Sequence, residues 1–310
     1  MNGSPSGGPA AVADVAELLR EVRRIEIESL RLANDVMAGG YLSVFRGAGI
    51  EFDEVREYAE GDDPRTIDWN VTARVGRPFI KKFVDERDLS VVFLLDVSAS
   101  MDGGFGAWSA RRVAARVAAC LGLSAVKNHD KAGLVTFGAK VEKFVRPKKG
   151  VGQALRIVRD ALAAPTVPGA SRPDLALDYV ARVLKRHAVV FLVSDFLTGD
   201  CGPALARAAR RHDVVAVRIG VPELAPPSAG LMSVRDPETG RAAWIDWSSP
   251  AVRADYAARV ARRRAAVVRE LRRAKVDLMD VDVPRRFDRA ALARPILKFF
   301  RMREERGARR

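Results

Sequence analysis

From residue 89 onward, short apolar runs alternate with helical stretches, and that alternation leaves few folds open to the chain. Leu89 to Leu95, Ala132 to Phe137, Val189 to Ser194 and Val214 to Ile219 are rich in Val, Leu and Phe, too short for helices, and bounded by turn residues. Between them lie helical stretches at Trp108 to Val126, 151–163, 174–186 and 203–211; the first is Ala-rich, with Arg111, Arg112 and Arg116 among its few charges. Strands without polar alternation are covered on both faces. The pattern therefore predicts an α/β fold, a doubly wound and mostly parallel sheet flanked by helices. Lys140 to Val145 reads as an antiparallel neighbour reached through a turn at Gly138-Ala139. Leu231 to Trp247 reads as a hairpin turning at Asp236-Pro237-Glu238-Thr239-Gly240. A long helix at Pro250 to Ala274, a last strand at Val276 to Val281 and a helix from Asp288 to Glu305 complete the series.

Upstream, Val15 to Met37 has the apolar spacing of an amphipathic helix (Leu18, Leu19, Val22, Ile25, Ile27, Leu30, Leu32) and stops at Gly39-Gly40. Residues 41–87 carry turn signals between short extended runs, of which Phe79 to Val84 is one. The expected organisation is a flexible tail at 1–13 and an N-terminal helix with a short-strand extension at 14–87. The main domain follows at 88–285, with a hairpin insertion near 231–247, and a C-terminal basic helix at 286–310.

At 310 residues and 48% apolar, the chain can bury a large core. Its first residues have neither a basic nor an apolar signal region, and no stretch of about 18 uncharged apolar residues exists, so a soluble, cytoplasmic protein without a membrane span is expected. Cys120 and Cys201 lie far apart and outside any CxxC pair, which argues against a disulfide framework. Net charge is +14, concentrated at the end: residues 251–310 hold 19 Lys and Arg against 8 Asp and Glu, whereas 51–70 hold eight acids and two Arg. Docking on an acidic partner, nucleic-acid attraction and a solvated helical face all fit that excess.

Ligands of doubly wound sheets sit beyond the carboxyl ends of the strands, where strand order reverses. With the common order 3-2-1-4-5-6, the first and fourth strands meet there. The first ends in Asp96-Val97-Ser98-Ala99-Ser100 and the fourth in Ser194-Asp195. Asp96, Ser98, Ser100 and Asp195 would thus converge as an all-oxygen set suited to Mg2+ or Mn2+ rather than zinc. The same residues are also good helix caps. Capping explains each one singly, and the cation reading explains their convergence.

Asp96-x-Ser98-x-Ser100, with a later strand ending in Asp195, resembles the metal-ion-dependent adhesion site of von Willebrand factor A-like, Rossmann-like domains. Upstream, Arg56, Tyr58, Gly61, Asp62, Arg65, Asp68, Trp69 and Arg74 form an R-x-Y-x-x-G-D-x-x-R-x-I-D-W pattern with a trailing Arg. That pattern resembles uncharacterised-domain family fifty-eight (DUF58). The resemblance implies a MoxR-type AAA+ ATPase as partner, acting with this chain on an unknown client protein. It also implies a Thr ligand where this chain has Pro173, leaving Ser171 or Asp174 as substitutes and the site open to being incomplete. Taken by their chemistry alone, Asp62 or Asp68 beside Arg65 and Arg74 suit an ion-pair network, and Trp69 a core anchor.

An aspartate-dependent phosphatase or hydrolase would need a second Asp where Ser98 stands. A Ser nucleophile would need a His, yet His129, His187 and His212 all precede strands, at the far edge, where they read as helix C-terminal residues facing the dipole. No GxxxxGK[ST] loop is present, so direct ATP binding is not expected. The basic C-terminus lacks interleaved aromatics for stacking on nucleic acid. The resulting expectation is a non-enzymatic binding module.

Overall fold

The computed structural model describes residues 9–38, 51–59, 62–63, 67–84, 89–105, 108–197, 201–284 and 289–308. Gly61 and Arg65 of the upstream pattern, the side chain of Arg56, residues 1–8 and Gly39-Gly40 lie outside the described residues. The chain forms two compact units, one of residues 1–45 with 89–310 and one of residues 46–88. Helix α1 (Pro9–Ala38) belongs to the first of these, not to the unit that holds the upstream pattern.

The smaller unit pairs β1 (Glu51–Glu57) antiparallel to β2 (Phe79–Val84), with α2 (Trp69–Val75) between them in sequence. Asp68 is the N-cap of α2: its carboxylate accepts from the amides of Asn70 at 3.0 Å and Val71 at 3.4 Å, and Gly76 closes the helix at φ 75°. Asp62 accepts the Ala59 amide at 2.9 Å, and the Tyr58 hydroxyl donates to the Asp62 carbonyl at 3.2 Å. These conspicuous residues thus make turns and caps. Trp69 is no core anchor: as first residue of a short exposed helix it is 70% exposed.

In the larger unit β3 (Ser90–Asp96) leads through a 3-10 turn at Ala99–Asp102 to a small ribbon of β4 (Gly104–Phe105) and β5 (Trp108–Ser109). Next come α3 (Ala110–Lys127), β6 (Lys131–Phe137), β7 (Val141–Lys148), α4 (Val151–Leu162), α5 (Pro173–Val183), β8 (Ala188–Ser194) and α6 (Gly202–Ala209). The chain continues with β9 (Asp213–Gly220), a hairpin of β10 (Leu231–Arg235) and β11 (Ala242–Asp246), α7 (Pro250–Arg273), β12 (Asp277–Asp282) and α8 (Arg289–Ala308). Six strands form one sheet in the order β12-β9-β8-β3-β6-β7, parallel throughout except for β7. Strand order reverses between β3 and β8, which are neighbours in register from Ser90 opposite Ala188 to Leu95 opposite Val193.

Period-two alternation sends successive side chains of the central strands into two apolar layers. Phe93, Phe191 and Val217 face one layer with α1, α3, α4 and α8, while Leu94, Leu192 and Ala216 face the other with α5, α6 and α7. Phe93 and Phe191, paired across β3 and β8, stack with centroids 5.5 Å apart. Helix α3 is almost wholly buried; its Arg116 lies 4.2 Å over the Trp108 ring and pairs with Glu21 and Glu28 of α1. Leu19 and Ile27 of α1 are exposed, so its buried stripe is narrower than their apolar character suggested. At the other end of the unit Arg303 of α8 forks onto Asp213 at 2.7 and 2.8 Å and reaches Asp277 at 2.8 Å. Part of the C-terminal positive charge is therefore spent on tying α8 to the starts of β9 and β12.

His129, His187 and His212 precede β6, β8 and β9, at the amino edge of the sheet. His212 is buried, and burial pushes its pKa below the ordinary value, with Arg211 and His187 adding to the shift. Burial thus disfavours the charged imidazole that an interaction with the helix dipole would favour. Cys120 and Cys201 are free and buried. Among the described residues no helix is long and apolar enough to cross a membrane.

Phe191→Ala removes a fully buried ring stacked on Phe93 and leaves a cavity. Urea unfolding should show a loss of about 3–5 kcal/mol, with an unfolding slope like that of the parent chain.

Candidate metal centre

The carboxyl ends of β3 and β8 deliver Asp96 and Asp195 to the same edge of the sheet. Beyond Asp96 the backbone is pinned on both sides: the Val97 amide donates to the Phe137 carbonyl at 2.8 Å, and the Val97 carbonyl accepts from Val167 at 3.1 Å. Buried Arg111, the second residue of α3, fastens the turn below. It bonds the Val97 carbonyl at 3.2 Å, the Thr166 hydroxyl at 3.2 Å and the Asp102 carboxylate at 2.9 Å, and it also donates to the Ala164 carbonyl. One guanidinium thereby holds the 3-10 turn and the 164–167 segment around the end of β3.

Asp96 is fully buried and accepts four hydrogen bonds. Its Oδ1 takes the Ser98 amide at 2.9 Å and the Ser98 hydroxyl at 2.7 Å; its Oδ2 takes the hydroxyls of Ser171 and Ser194, each at 2.7 Å. Ser98 Oγ also lies 3.2 Å from Ser100 Oγ. Ser98 precedes the 3-10 turn but makes no side-chain cap bond, because its hydroxyl is turned to Asp96. Asp195 is 3% exposed; Oδ1 accepts the Leu197 amide at 3.0 Å, while Oδ2 is buried without a hydrogen-bond partner. Helix α6 starts later, with Cys201 as its N-cap, so Asp195 does not cap it. The chain then passes through Phe196 at φ 55°, a left-handed conformation that costs a bulky residue of order 1 kcal/mol. Ser194 Oγ, accepting the Phe196 amide at 3.1 Å, and Arg263, donating to the Phe196 carbonyl at 3.2 Å, hold it there.

Of the residues expected from sequence, the structure brings together Asp96, Ser98, Ser100, Asp195 and Ser171. Pro173 is simply the first residue of α5, and the hydroxyl that reaches Asp96 comes from Ser171, two residues earlier. Asp174 is not part of the cluster. It forks with Arg172 at 2.7 and 2.9 Å, and that hydrogen bond holds its pKa below the ordinary value. Three contributions escape the pattern of the motif: the Ser194 hydroxyl, the Arg111 clamp, and Glu238. Ser194 adjoins Asp195 and was open to notice. Glu238 arrives on the tip of the β10–β11 hairpin, and nothing local to its sequence marks it.

Electrostatically the cluster is short of positive charge. Burial, reinforced by the negative charge of Asp96, pushes the pKa of Asp195 up to about 6. Burial also pushes Glu238 up to about 7, aided by Asp195, Asp96 and Asp236 and opposed by the Ser100 hydroxyl. Among the described residues no three His, Cys, Asp or Glu side chains converge closely enough to hold a metal by themselves. What converges instead is two buried carboxylates with serine hydroxyls, hard oxygen donors of the kind Mg2+ and Mn2+ take. The bare Asp195 Oδ2 fits a cation, since a buried carboxylate oxygen without a donor is costly unless a positive charge meets it.

Comparison with known proteins places these features in context. The family "Protein of unknown function DUF58" matches residues 54–266. An uncharacterized protein of Mycobacterium tuberculosis is 31% identical over 306 residues, covering 95% of this chain and 92% of that one, and one of Mycobacterium bovis matches equally. Among solved structures, the conserved hypothetical protein BatB from Bacteroides thetaiotaomicron aligns with TM-score 0.42 and 16% identity, over 72% of this chain and all of that one. The SpRpn10 VWA domain aligns with TM-score 0.39 and 12% identity, over 68% and 94%.

The upward shift of Asp195 has a definite sign. Its contribution to stability is complete below the ordinary carboxylate pKa and is lost as pH rises through about 6. In chelator, the parent chain should therefore lose on the order of 2 kcal/mol between pH 4 and pH 7 that Asp195→Asn does not lose. Chemical denaturation of both chains across that range measures the difference, and a saturating divalent cation should narrow it.

Proposed function

The chain belongs to the DUF58 family, and on that footing we propose that it is a protein-binding module using a cation-dependent adhesion-type site. The observation that carries this reading is the Asp195 Oδ2 atom, buried and bare beside Asp96, Ser98 and Ser100 at the reversal of strand order. Asp96, Ser98, Ser100 and Asp195 would hold Mg2+ or Mn2+, with Ser171 in support. When bound, the ion supplies a Lewis-acidic position at which a carboxylate from a partner protein can complete the coordination.

The surroundings favour an acidic partner. Beside Asp195 opens a cavity of about 390 Å³ whose wall includes Arg218, Arg259, Arg263 and Arg264. Arg218 and Arg264 share Asp280, so the wall is a charge network that an acidic segment can join. The family resemblance points to a MoxR-type AAA+ ATPase as that partner, the pair assisting the assembly or maturation of a client protein. Catalysis finds little support at this edge. All three imidazoles lie at the other end of the strands, and the position an aspartyl phosphatase would fill with its acid is Ser98.

Because Asp96 accepts four hydrogen bonds in the core, Asp96→Ala strands three hydroxyl-bearing side chains and should destabilise the protein by several kcal/mol, roughly 1.5–3 per bond to a charged group. Asp96→Asn keeps an acceptor while removing the charge. It should remain folded by circular dichroism and lose Mg2+-dependent binding of the AAA+ ATPase by at least tenfold, matching the parent chain in chelator. Partner binding that is unchanged both in Asp96→Asn and in chelator would rule out the metal bridge.

A further inference from the structure

The β10–β11 hairpin is an odd appendage. All of β10 is exposed, β11 is exposed except for half-buried Ile245, and Trp244 stands 72% exposed. Its base is firmly rooted: the Trp247 amide donates to the Gly230 carbonyl at 3.1 Å, and the buried Trp247 ring meets Tyr256 edge to face at 5.1 Å. Its tip is equally well built. Asp236 accepts the amides of Glu238 at 2.9 Å and Thr239 at 3.4 Å and the Thr239 hydroxyl at 2.7 Å, and Gly240 closes the turn at φ 70°. Between base and tip the ribbon is an arm that packs on little, and the residue presented at its end is Glu238.

Glu238 Oε1 is buried without a hydrogen-bond partner, and the Ser100 hydroxyl lies within hydrogen-bonding reach of the same carboxylate. Ser100 is likewise in reach of Asp195, whose Oδ2 is the other bare oxygen. A carboxylate resting against a site that already holds Asp96 and Asp195 is repelled by both. An exposed arm is free to carry it into water instead. Asp195 Oδ2 from the core and Glu238 Oε1 from the arm are each buried without a hydrogen-bond partner, and a divalent cation would satisfy both.

We propose that Glu238 is a further ligand of the cation site, delivered in cis by the hairpin, and that it holds the position a partner's carboxylate takes on docking. The inference rests on the cation reading above and adds to it. Partner binding then requires the arm to swing away, so the hairpin governs access to the site.

Mn2+ alone is the probe, titrated into the full chain by calorimetry and by water-proton relaxation. Wild type, Glu238→Gln and Asp96→Asn are compared, with limited trypsin digestion reading the exposed Arg235 and Arg241 that flank the tip. Glu238→Gln, a change of nearly equal shape at the tip of the turn, should bind Mn2+ about tenfold more weakly. It should also show greater relaxation per bound ion, because water replaces the lost ligand. Mn2+ should slow cutting at Arg235 and Arg241 in wild type and not in Glu238→Gln. Equal affinity, equal relaxation and Mn2+-independent cutting in the two chains would overturn the Glu238 proposal alone. Absence of Mn2+ binding by wild type, or undiminished binding by Asp96→Asn, would overturn the cation reading and this proposal with it.

Discussion

The carboxylate of Asp96 is the point on which the rest of the site depends. It lies fully buried at the end of a central strand, and four donors from three separate stretches of chain converge on it. Ser98 belongs to the turn after β3, Ser171 to the segment before α5, and Ser194 to the end of β8. A buried carboxylate must find donors or neutralise, and here the solution draws three loops into one cluster. The parallel sheet makes this possible, because neighbouring parallel strands end on the same side and their order reverses at this place.

Satisfying Asp96 leaves its neighbour unsatisfied. Asp195 is delivered to the same edge by β8 and receives one amide, while its second oxygen meets none. The strained backbone at Phe196, held by Ser194 and Arg263, fixes the chain just beyond it. Strain, an orphaned oxygen and pKa values displaced upward in two carboxylates gather within one small region. Such a concentration is the usual mark of a functional site, since a fold under selection for stability alone has no reason to keep it.

Much of this was legible in the residues, for identifiable reasons. Apolar runs without alternation announced strands covered on both faces, and the strand order predicted from the fold class is the order found, so Asp96 and Asp195 met as the sequence implied. Ser171 was one of two substitutes for the missing Thr, and helix start chemistry separates them: Asp174 lies in the first turn of α5 and turns back to Arg172. Trp69 misled because an aromatic in a dense motif suggests a core, whereas the capping demand of Asp68 placed it on an exposed first turn. Glu238 was illegible in principle. A turn sequence specifies the turn, and where a rooted arm lays its tip depends on contacts at its base, far from the tip in sequence.

We propose that the Asp96 cluster is built around a divalent cation. Crystals of the wild-type chain grown with Mn2+ and measured at a wavelength where manganese scatters anomalously test it most directly. One strong anomalous peak is expected among the oxygens of Asp96, Ser98, Ser100 and Asp195. A well-ordered cluster with its hydrogen bonds as described and no peak there at saturating Mn2+ would contradict it.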